Sequence, residues 1–137
     1  MRQAVIRAPG DIPVEQRDKP TIRKPTDAII RVTAACVCGS DLWPFRGVEP
    51  VGDPHPMGHE YVGIVAEVGS AVATIVLGQF VVGSFMASDN TCEICQAGYQ
   101  SRCVHVEYVG AGGAQAEYLR VPLADGTLVA TPSLPET

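Results

Sequence analysis

Two groups of side chains in the 137-residue chain could bind a metal. The compact one is Cys92-Glu93-Ile94-Cys95, followed by Cys103. A C-x-x-C pair can reach one metal from a single tight turn, and Cys103 adds a third thiolate, so the stretch reads as a zinc site that pins a loop. The rival is a redox C-x-x-C pair, which usually opens a helix in a thioredoxin-like setting, and none is visible. The dispersed group is Cys38, in Cys38-Gly39-Ser40-Asp41, with His59 and Glu60, in Gly58-His59-Glu60-Tyr61-Val62-Gly63. Thiolate, imidazole and carboxylate are all zinc ligands, and three of them leave a fourth position open. An open zinc can polarise a carbonyl or acidify a bound hydroxyl. Spacing alone leaves the matter undecided. A cysteine before glycine is also a packing residue, a histidine at a strand start is often an ordinary hydrogen-bonding one, and Asp41 suits a turn or cap equally well.

The elements that must position these groups read as strands. Gly 14 and Pro 11 are many for a helical chain of this size. Strands are expected over 3–8, 14–17, 28–36, 61–68, 80–85, 116–121 and 127–130, with a turn at Pro9-Gly10-Asp11. Residues 39–47 suit one helical turn. Residues 48–56 are proline-rich and read as an irregular loop, and 88–105 as a cysteine-bearing loop. Gly110-Ala111-Gly112-Gly113 superficially resembles a dinucleotide fingerprint, but no helix pattern follows, so it reads as a turn. The sum is a mostly antiparallel barrel or sandwich. Within it Cys36 is expected in the core, His55 on the surface, and Gly63 and Gly69 at a close approach and a turn. His105, close behind Cys103, is left out of the ligand set.

Composition narrows the partners. With 46% hydrophobic and 18% charged residues the chain can build a core. Its net charge of −5, with no run of lysine or arginine, argues against a nucleic-acid partner. No apolar stretch of about 18 residues exists for a membrane span, and the first residues lack a signal-peptide pattern. A cytoplasmic location is the resulting expectation. Five cysteines do not suit a closed disulfide framework, and a reducing compartment would keep them as thiols.

Cys38-Gly39-Ser40-Asp41, Gly58-His59-Glu60-Tyr61-Val62-Gly63-Ile64-Val65, the cysteine loop and Gly113-Ala114-Gln115-Ala116-Glu117-Tyr118 follow one another in an order that covers nearly the whole chain. In these segments it resembles the N-terminal domain of the zinc-dependent medium-chain alcohol dehydrogenases. The resemblance implies a mostly β, GroES-like, partly open β-barrel with short helices over 1–137, with the nucleotide-binding domain absent from this chain. It implies a catalytic zinc on Cys38 and His59, with Glu60 a close or exchanging ligand and a further ligand from outside the domain. Ser40 would lie beside the alcohol oxygen and pass its proton outward, and Asp41 would accept from the other ring nitrogen of His59. The implied reaction is NAD- or NADP-dependent oxidation of a small alcohol or polyol to the aldehyde or ketone. The chain alone would bind zinc without turnover, and homo-oligomers would form through the missing domain. The competing expectation is a truncated, non-enzymatic zinc module that binds another protein.

Three positions depart from the family pattern. Where some members carry a proton-relay histidine, this chain has Trp43, which would line the substrate pocket or, with Phe45, merely cover the barrel end. The structural zinc of the family uses four cysteines, and the first falls here on Asp89, which implies a site of Asp89, Cys92, Cys95 and Cys103. Gly78-Gln79-Phe80-Val81 lacks the charged pair of the corresponding family turn.

Overall fold

The computed structural model describes residues 1–132. Its largest unit is a five-stranded antiparallel sheet in the order β10-β6-β5-β3-β9, formed by β3 (Ala28–Ala35), β5 (Tyr61–Val68), β6 (Phe80–Gly83), β9 (Tyr118–Val121) and β10 (Leu128–Ala130). Along β5 the buried positions Tyr61, Gly63 and Val65 alternate with less buried ones, the two-residue period of a strand with one face on a core. That core gathers Ile30, Tyr61, Val65, Val81, Leu119, Val121 and Leu128. Gly63 fits its close-approach role: a Cβ there would lie 2.3 Å from the carbonyl oxygen of Arg31 on β3. Two register shifts in β3 bend the pairing with β5, at Ile29/Ile30 and Val32/Ala34.

A three-stranded sheet, β2-β1-β4, joins β1 (Arg2–Ile6), β2 (Val14–Gln16) and β4 (His55–Pro56). The 48–56 segment is therefore not irregular to its end. His55 and Pro56 pair with Ile6 and Val5, and two residues on a proline are too few for a strand pattern to register. A hairpin of β7 (Met86–Ala87) and β8 (Glu107–Tyr108) was equally illegible and closes the base of the cysteine-bearing lobe. Inside that lobe, α2 (Glu93–Gln96) and a 3₁₀ turn (Gln100–Arg102) replace the expected plain loop. The 110–113 segment lies in a 3₁₀ turn over Val109–Gly112, closed by Gly113 at φ 70°. The last strand starts after α3 (Ala124–Thr127), because the Thr127 hydroxyl donates to the carbonyls of Leu123 and Pro122 and keeps that residue in the helical turn.

Cys36 is a correction. It is exposed, not core. The buried face of β3 has already run out before Cys36 is reached, since Thr33, Ala34 and Ala35 are all exposed.

Asp27 and Arg120 form a charged pair inside the fold. Asp27 is fully buried and takes two hydrogen bonds from Arg120 of β9, at 2.7 and 2.9 Å. Burial alone would push its carboxyl up. The Arg120 guanidinium and the N–H groups of Lys24 and Arg23 outweigh burial and hold it below its ordinary value. Among the described residues no helix is long and apolar enough to cross a membrane.

Candidate metal centres

The pairing of β3 with β5 builds the first centre. Ala35 lies opposite Tyr61, and one residue further the Cys36 N–H donates to the carbonyl of Glu60 at 3.2 Å. The exit of one strand is thereby held against the entry of the other. Cys38 follows that exit, and His59 and Glu60 precede that entry. A 3₁₀ turn, Gly39–Asp41, then runs into α1 (Leu42–Phe45). The turn is closed from inside, since the Asp41 Oδ2 accepts from the Cys38 N–H at 2.9 Å.

Ligand atoms of Cys38, His59 and Glu60 lie within 4.8 Å of one another. A tetrahedral zinc with bonds of about 2.0–2.3 Å needs its ligands roughly 3.3–3.8 Å apart. Small side-chain rotations cover that difference, so the three residues fit the ion. Glu60 is exposed while Cys38 and His59 are half-buried.

The histidine is held from both sides. Its Nδ1 lies 3.4 Å from Asp41 Oδ1 and its Nε2 3.4 Å from Ser40 Oγ. The carboxylate can only accept, so the proton belongs on Nδ1 and the Nε2 lone pair faces Cys38 and Ser40. Phe85 meets the ring edge-on at 5.8 Å between centroids. The Ser40 hydroxyl and then the Ser40 N–H hold the Cys38 thiol below its ordinary value and so favour the thiolate that a metal requires.

His59 stands between two clefts. One, of about 390 Å³, is lined by Ser40, Asp41, Trp43, Met57, His59 and Tyr108. The other, of about 290 Å³, has an almost wholly apolar lining that includes Tyr61, Val62, Val82 and Phe85. Trp43 lines the first of these clefts. Tyr108 carries no signal in the sequence, and Phe85 stands there only as the end of the strand expected over 80–85. Tyr108 reaches the site from β8, a strand too short to recognise, and Phe85 from the residue before β7.

Asp41→Asn tests the hold on His59. An amide can present its N–H to Nδ1 and select the wrong tautomer. Zinc affinity at this centre is expected to fall about 10- to 100-fold, as when an outer partner of a metal-binding histidine is lost. Competition with a chelator measures it, and an unchanged affinity would refute the assignment.

The second centre brings Asp89, Cys92, Cys95 and Cys103 within 4.8 Å of one another. Cys92 is the N-cap of α2 and Cys95 lies within it, while the 3₁₀ turn over Gln100–Arg102 delivers Cys103. The Cys92 and Cys103 sulfurs are 4.0 Å apart, and Asp89 Oδ1 is 3.4 Å from the latter. All five cysteines of the chain are free thiols. The C-x-x-C pair does open a helical turn, contrary to expectation, so helix position alone would not exclude redox chemistry. The third thiol and the carboxylate beside the pair are what favour a metal. Burial pushes the Cys95 thiol up to about 12, whereas the Val104 N–H draws Cys92 down. His105, which the sequence gives no reason to include, has its Nδ1 2.5 Å from Asp89 Oδ2.

The model of the alcohol dehydrogenase GroES-like domain matches residues 24–133. Zinc-type alcohol dehydrogenase B of Aspergillus flavus is 44% identical over 135 residues, covering 96% of this chain and 32% of that protein. Alcohol dehydrogenase TADH from Thermus sp. ATN1 superposes with a TM-score of 0.88 at 35% identity, over 97% of this chain and 40% of that one. The zinc-dependent alcohol dehydrogenase 2 of Streptococcus pneumonia, in its apo form, gives 0.84 at 39%, over 96% and 39%. The chain therefore spans well under half the length of these relatives.

Proposed function

The chain belongs to the alcohol dehydrogenase GroES-like domain family, and on that premise we propose that it is the catalytic part of a zinc-dependent, nicotinamide-linked alcohol dehydrogenase. The observation that carries the proposal is the convergence of Cys38, His59 and Glu60 within 4.8 Å. Cys38, His59 and Glu60 would hold the ion, which when bound supplies a Lewis acid for the oxygen of an alcohol or carbonyl. Asp41 keeps His59 oriented and in the tautomer that offers Nε2. Ser40, beside that nitrogen, takes the proton of the substrate hydroxyl and hands it toward solvent. Trp43 and Met57 wall the cleft and restrict what enters it. The lobe at Asp89, Cys92, Cys95 and Cys103 would hold a second zinc that pins the loop and takes no part in chemistry.

In this proposal a nucleotide-binding domain, with its choice of NAD or NADP, would lie in the length of the relatives that this chain does not cover. Self-association through that domain and a cytoplasmic, reducing location are part of the same proposal, the latter supported by five unpaired thiols. Anomalous scattering at the zinc absorption edge, from crystals grown with zinc, is expected to show two peaks per chain, one beside Cys38 and His59 and one inside the lobe. A peak in the lobe alone would overturn the catalytic assignment.

A further inference from the structure

We infer that His105 is the positioning residue of the lobe metal: it fixes the Asp89 carboxylate from behind, so that a carboxylate can serve where three thiols stand without a fourth. The inference rests on the proposed zinc of Asp89, Cys92, Cys95 and Cys103.

The two oxygens of Asp89 have separate partners. Oδ1 faces the thiols, 3.4 Å from Cys103 Sγ, and accepts from the N–H groups of Thr91 and Cys92 at 3.0 and 3.1 Å. Oδ2 faces outward and meets His105 Nδ1 at 2.5 Å. A carboxylate only accepts, so Nδ1 is the donor whether the imidazole is neutral or charged. Asp89 is largely buried and His105 largely exposed, with side-chain exposures of 12% and 67%. The histidine therefore closes the carboxylate off from solvent and is not itself a core residue.

The physical need is specific to a carboxylate. It is a harder zinc ligand than a thiolate, and its terminal torsion is soft. A thiolate has one sulfur and no such torsion to fix. A hydrogen bond on the outer oxygen aims the inner one at the metal, in the way that outer partners orient metal-binding side chains generally. The His105 main chain contributes separately, its N–H lying 3.4 Å from Cys103 Sγ. Changing the side chain leaves that contact in place.

The test follows protection of Cys92, Cys95 and Cys103 from alkylation, peptide by peptide, in full-length protein across a series of zinc buffers. This isolates the lobe from the first centre and needs no enzymatic readout. His105→Ala is expected to raise the free zinc required for half-protection about 10- to 100-fold. His105→Gln, which keeps an N–H donor, should recover most of that loss. In an Asp89→Cys background His105→Ala should shift the midpoint by less than about threefold, because the coupled partner is gone. An equal shift in that background would mean that His105 merely supports the loop, and the inference fails. If Asp89→Ala weakens protection but His105→Ala does not, the inference fails and the zinc lobe stands. If Asp89→Ala changes nothing, Asp89 is no ligand, and both fall.

Discussion

On the proposed function, Cys38→Ser in the full-length protein is expected to lower kcat/KM by about 10³-fold or more and to remove one of the two proposed zinc ions per chain. A metal Lewis acid is worth several kcal/mol of transition-state charge stabilisation, and each 1.36 kcal/mol is a factor of about ten in rate. Serine keeps the size of the side chain but replaces a soft thiolate by a neutral hydroxyl, a far weaker zinc ligand. The backbone tie from the Cys38 N–H to Asp41 Oδ2, at 2.9 Å, does not involve the sulfur and survives the change. So does the strand pairing that ends at Ala35 and Tyr61. The thermal midpoint of this domain should therefore move little while zinc content and rate collapse together. Metal analysis, steady-state kinetics with nicotinamide cofactor and a melting curve on the same sample suffice. A variant that keeps both zinc ions, with kcat/KM within about tenfold of the parent, would remove Cys38 from the centre.

Arg120→Met is expected to cost about 3–5 kcal/mol of folding stability, the usual cost of stranding one member of a buried ion pair. Domains of this kind have roughly 5–15 kcal/mol in all, so the urea midpoint should fall steeply. The cause is Asp27, which is fully buried and loses both guanidinium hydrogen bonds. Only the N–H groups of Arg23 and Lys24 remain to it. Neutralising the stranded acid as well, in Asp27→Asn with Arg120→Met, should recover part of the loss, since the charge that burial penalises is then gone.

The pH dependence fixes the sign. In the parent the folded-state pKa of Asp27 is depressed, so its contribution is present at neutral pH and is lost as pH falls through that depressed value. Without Arg120, burial raises the folded-state pKa, and the penalty is felt above the unfolded value and relieved as pH falls. The stability gap between parent and variant should therefore narrow as pH drops toward about 4, the ordinary aspartate range. A gap under about 1 kcal/mol at neutral pH, or one that widens in acid, would show that Asp27 is not charged in the folded protein.

Much of this could be read from the amino-acid order because it depends on neighbours in the chain. The span of β5, Tyr61–Val68, follows from its alternation and the Gly69 that ends it. Cys92 and Cys95 are adjacent in any local turn, so their capacity to share a metal needed no fold. The resemblance placed Cys38, His59, Ser40 and Asp41 in one site, although no local rule connects residues so far apart. What only the tertiary structure decided depends on contacts between distant segments. The β3–β5 register brings Cys38 to His59. The two-residue strands that carry His55 and Tyr108 form because β1 and β7 supply partners, not because their own sequences demand it. Cys36 is exposed because the end of β3 from Thr33 to Ala35 already lies outside the core, a matter of what packs on the sheet and not of the strand's own alternation. His105 met Asp89 because two turns of the lobe fold back on each other. A side chain's type announces which bonds it can make. Its partner, when remote in the chain, is chosen by the packing that closes the space between them.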